Sequence, residues 1–174
     1  MTEPDPDADA RALASTLRLR ILRLCLDEAR TNREIAERLG KNPATVLHHV
    51  RTLVDRGFLV AEPVRRGARG SREVPYRSTG KSWRMPPFPG KQQVMVNAFL
   101  EELAEAPDDS VQMTRLGVRL SPAEHAELLD RIDGFFAELA EREPTPGGDP
   151  YSMLFAMHLD AGRMNRPASE SGAS

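Results

Sequence analysis

The sequence predicts an α+β protein in which a group of helices and a β-hairpin is followed by a smaller domain built as a helix and a β-α-β unit. Three observations predict it. Two short amphipathic helices meet at a glycine between Thr31 and Gly57, the apolar period then changes from helical to alternating, and Lys and Arg crowd onto the same part of the chain.

Thr31 and Glu34 have capping-box spacing, Ile35, Ala36 and Leu39 form one stripe, and Gly40 supplies the left-handed residue that ends a helix. Asn42 as N-cap and Pro43 at the first helical position restart the chain. Val46, Val50, Leu53 and Val54 then recur at helical spacing until Gly57. A small residue at 36, a glycine at 40 and a β-branched residue at 46 make the pattern of a helix-turn-helix, whose second helix enters a DNA major groove N-terminus first. The outward face of that helix carries Ala44, Thr45, His48 and Arg51, with Leu47 at its edge.

At 174 residues and 40% hydrophobic, the chain can bury a main core and a smaller one. No apolar run reaches membrane-spanning length and the N-terminus is acidic, so a cytoplasmic protein with no membrane partner is expected. The single cysteine, Cys25, lies among leucines and reads as a small core residue, with no internal disulfide to form. The formal charge of -2 hides an asymmetry. Residues 41–91 hold eleven Lys/Arg against three acids, whereas residues 92–174 hold six against fifteen. A basic block placed on the helix-turn-helix and the segment after it suits a polyanion.

Residues 1–8, rich in proline and acid, read as a disordered lead-in. Asp9 to Ala14 can form a short helix, and Ser15 caps a second one, TLRLRILRLCLDEA, apolar on most sides and therefore buried. After Gly57, Phe58, Val60, Glu62 and Val64 face one way and Leu59 and Ala61 the other; RRGARGSR turns the chain, and EVPYRST returns as a second strand. Pro63 and Pro75 keep these strands out of the centre of a large sheet. The hairpin carries Arg65, Arg66, Arg69, Arg72 and Arg77, placed to reach phosphates or a minor groove. With Lys41, Asn42, Pro43 and the outward face of the second helix, these are the candidate DNA-binding residues. The GKSW segment is not a phosphate loop, because Pro75 stands where such a loop needs glycine. Trp83 is expected to anchor the end of this domain, and MPPFPG to form a linker.

ASTLRLRILRLCL, then TNREIAERLGKNPATVLHHVRTLVDRGFLV, then an arginine-rich hairpin ending in Tyr76 resembles the winged-helix domain of ArsR-type bacterial transcription regulators. The likeness covers about residues 9–83. It implies a homodimer on a two-fold, inverted-repeat DNA operator, repressing transcription until an effector or partner releases it. The cysteine pair that metal sensors of that family carry in the first helix of the motif is here Ala36 and Arg38, which argues against a thiolate metal site.

The expected domains are 1–84, the winged helix-turn-helix; 85–160, for dimerisation or an effector; and 161–174, a disordered tail. From Lys91 to Ala106 apolar residues at 94, 95, 98, 99 and 103 make an amphipathic helix with no obvious mate in the chain, so a second subunit is expected to cover it. VQMTRLGVRL reads as a strand, Ser121 to Leu139 as a capped helix with a wide apolar stripe, and YSMLFAMHL as a final strand.

Four histidines are the neutral-pH acid/base or metal candidates besides the carboxylates. His48 falls on the DNA face, His49 points back toward the preceding helix, and His125 and His158 lie on the C-terminal helix and strand. None has zinc-site or triad spacing, so no catalysis, metal or cofactor is expected. Met113, Met153, Phe155 and Met157, with Arg115 or Arg119, could line a small-molecule effector pocket, although core or dimer packing accounts for them more simply. The competing function is a winged helix that docks on protein instead of DNA, against which the basic block weighs.

Overall fold

The computed structural model describes residues 5–67, 70–86 and 88–164. Helix α1, Pro6–Leu13, begins where Asp5 accepts a hydrogen bond from the Ala8 amide and Pro6 occupies the first turn. The lead-in expected to reach residue 8 is therefore helical from Pro6; residues 1–4 lie outside the described residues. Ser15 caps α2, Thr16–Leu24, as its position predicts.

The helix-turn-helix forms as its caps dictate. Thr31 and Glu34 make the reciprocal capping box of α3, Asn32–Leu39, and Gly40 ends it at φ 59. A Cβ on Gly40 would touch nothing within 4 Å, so backbone conformation, not space, calls for glycine. Asn42 caps α4, Pro43–Asp55, by accepting from the Ala44 amide at 2.8 Å, and Gly57 at φ 70 turns the chain out of it. Ala36, Val46, Val50 and Leu53 are buried between α3, α4 and α2, in one core with Ile21, Leu22, Ile35, Phe58 and Leu59. Truncating Phe58, fully enclosed, would cost about 3–5 kcal/mol.

The hairpin differs from its expected form. Five short strands replace two: β1, Arg30–Thr31; β2, Leu59–Ala61; β3, Arg65–Arg66; β4, Arg72–Glu73; and β5, Pro75–Ser78. An antiparallel sheet orders them β1-β5-β2, and β3 and β4 pair separately at the tip. Leu59 faces Ser78 and Ala61 faces Tyr76, yet Arg65 faces Glu73, so the first arm has one residue more than the second between the two ladders. That extra residue falls at Glu62 to Val64, around Pro63, which has no amide hydrogen to give; the break acts as a bulge that re-aims the tip. The alternation expected of Phe58 and Val60 also fails. Phe58 is buried while still in the turn from α4, and Val60 and Val64 are exposed.

Trp83, expected as an anchor, is 60% exposed; Met85 and Phe88 pack on the core instead. Helix α5, Lys91–Leu103, is expected from its sequence to lack a mate in the chain, but it packs on α2. Ala98 is buried there, Arg20 of α2 donates to Glu101 at 3.2 Å and to Glu105 at 2.5 Å, and Arg23 pairs with Glu102. Two compact units result, Met1–Val111 and Gln112–Ser174, and α5 belongs to the first.

Within the second unit, Ser121 and Glu124 form a capping box at the start of α6, Pro122–Glu141. The segments 112–120 and 150–159 are extended on either side of it but form no ladder, so the two expected strands of a β-α-β unit are unpaired among the described residues. Ala161–Arg163 forms a single tight helical turn, and residues 165–174 of the expected tail lie outside the described residues. No described helix is long and apolar enough to cross a membrane.

Candidate nucleic-acid interface

Helix α4 has two unlike faces. Val46, Val50 and Leu53 hold it to the core, whereas Lys41, Asn42, Pro43, Ala44, Thr45, His48 and Arg51 are exposed. The turn before it is braced from α3, where the Asn32 side-chain amide donates to the Pro43 carbonyl at 2.9 Å. The amide of Lys41 closes α3 by donating to the Ala36 carbonyl at 3.0 Å, which leaves its side chain at the mouth of the turn. A rigid helix end with short side chains at 44 and 45 can approach a polyanion closely, and its N-terminal dipole favours negative charge.

His49 places its Nδ1 3.4 Å from Arg18 of α2. Burial, with the nearby charges of Arg18 and His48, holds its pKa below the usual imidazole value, so it is neutral at pH 7 and packs as a structural residue. Cys25 is fully enclosed and burial pushes its thiol up to about 11, so it offers no thiolate at neutral pH.

The arginines of the wing separate into two kinds. Arg66 and Arg72 face each other across β3 and β4, exposed and without an ion partner among the described residues. Arg65 reaches back to α3 and pairs with Glu34 at 2.5 Å, the same carboxylate that completes the capping box, while Glu73 lies 3.9 Å away. Arg77 is bonded to Glu62 and donates to the Asp27 carbonyl at 2.9 Å. Arg69 lies outside the described residues. Burial alone would push the Glu34 carboxyl up, but hydrogen bonds from Thr31 and the charge of Arg65 hold it below the usual glutamate value. The Glu34–Arg65 pair thus fastens the wing to the first turn of the helix-turn-helix, a role that spacing in the sequence could not reveal across 31 residues.

Beneath α4 lies a further ionic cluster that sequence reasoning missed. Asp9, only 4% exposed, receives Arg56 at 2.7 Å and Lys81 at 2.6 Å, and the Lys81 ammonium also lies 4.7 Å from the centre of the Phe58 ring. Its members come from α1, the C-cap of α4 and the turn after β5, so it fixes the far end of α4 relative to the wing.

Residues 15–60 match the family described as winged helix-turn-helix DNA-binding. The winged helix-turn-helix of this chain spans that match and extends through its wing to β5. Similar solved structures include reduced HlyU from Vibrio cholerae, 21% identical with a TM-score of 0.34 over 54% of this chain and 85% of that one. They also include the homodimeric winged helix-turn-helix DNA-binding domain of Mb0332 from Mycobacterium bovis, 24% identical with a TM-score of 0.36 over 57% and 77%. A third, MepR of S. aureus in complex with DNA, is 12% identical with a TM-score of 0.33 over 76% and 90%. No curated protein gives a significant sequence match.

Proposed function

We propose that this protein is a sequence-specific, DNA-binding transcription regulator that acts as a homodimeric repressor in the ArsR manner. The observation that carries the reading is the division of α4, whose apolar face is fully enclosed while Thr45, His48 and Arg51 stand free beside a wing bearing Arg66 and Arg72. Helix α4 reads the major groove, Lys41 and the amides of its first turn hold phosphate, and the wing reaches phosphates or the adjacent minor groove. A salt-dependent gel shift on random duplex DNA tests the first step. Binding that weakens steeply as salt rises is the expected result, and no shift at low salt would turn the reading toward a protein-docking winged helix.

The two kinds of wing arginine should behave differently in that assay. Arg66→Ala or Arg72→Ala is expected to weaken binding to every sequence and to lower the salt slope by about 1 for each phosphate no longer neutralised. Arg65→Ala should weaken binding with a smaller change in slope, because it releases the wing from α3. Glu34→Gln discriminates most sharply. A carboxylate near DNA normally repels it, so its removal should tighten binding; if Glu34 instead positions the wing through Arg65, its removal weakens binding.

A further inference from the structure

The second unit is incomplete as a single copy. Helix α6 has no fully buried residue along its 20 residues, and its apolar stripe of Leu128, Leu129, Ile132, Phe136 and Leu139 is only half-buried. Around it Leu116 is 80% exposed, Tyr151 77% and Leu159 81%. The backbone amides of 112–120 and 153–159 make no hydrogen bond to another backbone group among the described residues, though both segments are extended. A long apolar edge with free amides is the surface that strand pairing removes. We propose that a second copy of this chain removes it, through a sheet assembled from the extended segments of both copies and covered on one face by the two α6 helices.

Three features select a second copy as the occupant. The segment 151–159, YSMLFAMHL, holds no Asp, Glu, Lys or Arg and alternates Tyr151, Met153, Phe155, Met157 and Leu159 on one face. It can pair antiparallel with itself across a two-fold axis without like charges meeting, which an isologous interface requires. The other segment carries Arg115 and Arg119, neither in an ion pair among the described residues, whereas α6 presents Glu127, Asp130 and Glu138 on its exposed side. Arginine-bearing segments then suit the outer edges of the sheet, where each can meet the carboxylates of the other copy's helix. The apolar side chains left open amount to on the order of 1,000 Å² per chain, the share of one partner in an obligate homodimer interface.

This inference rests on the homodimer reading and names the surface that makes it. Sedimentation of the full chain, combined with amide hydrogen exchange read by mass spectrometry, tests it without DNA. The expected result is twice the 19.3 kDa chain mass, with slow exchange across 112–120 and 151–159. Phe155→Glu places two like charges near the two-fold axis. It should raise the dimer dissociation constant at least tenfold and speed exchange in both segments, while the amides of α3 and α4 stay protected. A dimer whose two segments exchange freely overturns this interface and leaves the homodimer standing. A species of single-chain mass overturns both. A dimer with protected segments that Phe155→Glu leaves unchanged also overturns the interface.

Discussion

Asp9→Asn is expected to destabilise the winged domain by about 2–3 kcal/mol, just under the roughly 3–5 kcal/mol for breaking a fully buried ion pair. The discount follows from exposure, since Asp9 is enclosed but its partners Arg56 and Lys81 keep part of their surface in water. The variant keeps the shape of the side chain and removes only its charge, leaving two cations crowded on one neutral amide. A melting temperature lower by roughly 5–10 °C is the corresponding observable. Burial alone would raise the pKa of Asp9, but the hydrogen bonds and charges of Lys81 and Arg56 outweigh it and hold the folded value below the unfolded one. A depressed folded pKa contributes stability that is fully present above the unfolded value, about 4, and is lost as pH falls through the folded value. The gap between wild type and Asp9→Asn should therefore be constant from pH 5 to 8 and close below pH 4. A gap that persisted undiminished under acid would mean that the variant acts through packing and not through charge.

What was legible in the sequence was local. The capping box of Thr31 and Glu34, the left-handed Gly40, and Asn42 followed by Pro43 fix the ends of α3 and α4 within a few residues of chain, and the structure reproduces them. What was not legible depends on residues far apart. Strand β1 is two residues long and has no period to detect; it exists because β5 offers it an edge. Helix α5 looked unpartnered because its mate is α2, joined through Arg20, Glu101 and Glu105 across more than eighty residues. The candidate interface divides in the same way. Helical spacing alone places Thr45, His48 and Arg51 on the open face of α4, whereas only the fold shows that Arg65 and Arg77 are engaged by Glu34 and Glu62 while Arg66 and Arg72 have no ion partner among the described residues.

Thr45→Ala combined with His48→Ala is expected to erode discrimination between operator and random duplex DNA by about 1–3 kcal/mol for each base no longer read, while nonspecific binding stays nearly intact. The two side chains lie three residues apart near the start of α4, on the face opposite the buried Val46 and Val50, and Arg51 continues that face one turn later. Both are short, so they can act only where the helix end enters the groove, whereas Arg51 is long enough to meet a guanine edge or a phosphate. The fold should survive the double change, because neither residue is buried and the core side of α4 is untouched. His48 also accepts the Thr52 hydroxyl on its backbone carbonyl at 3.1 Å, a bond that truncation of its ring does not remove. On the proposed dimer, two α4 helices spaced about one helical turn apart would meet successive major grooves, so on a two-fold site the double change would act in both halves. Competition binding at fixed salt, operator against random duplex, reads the difference directly. Equal loss of specific and nonspecific affinity in a folded, dimeric variant would make this helix a phosphate-positioning element, and base reading would then fall to Arg51 and the wing.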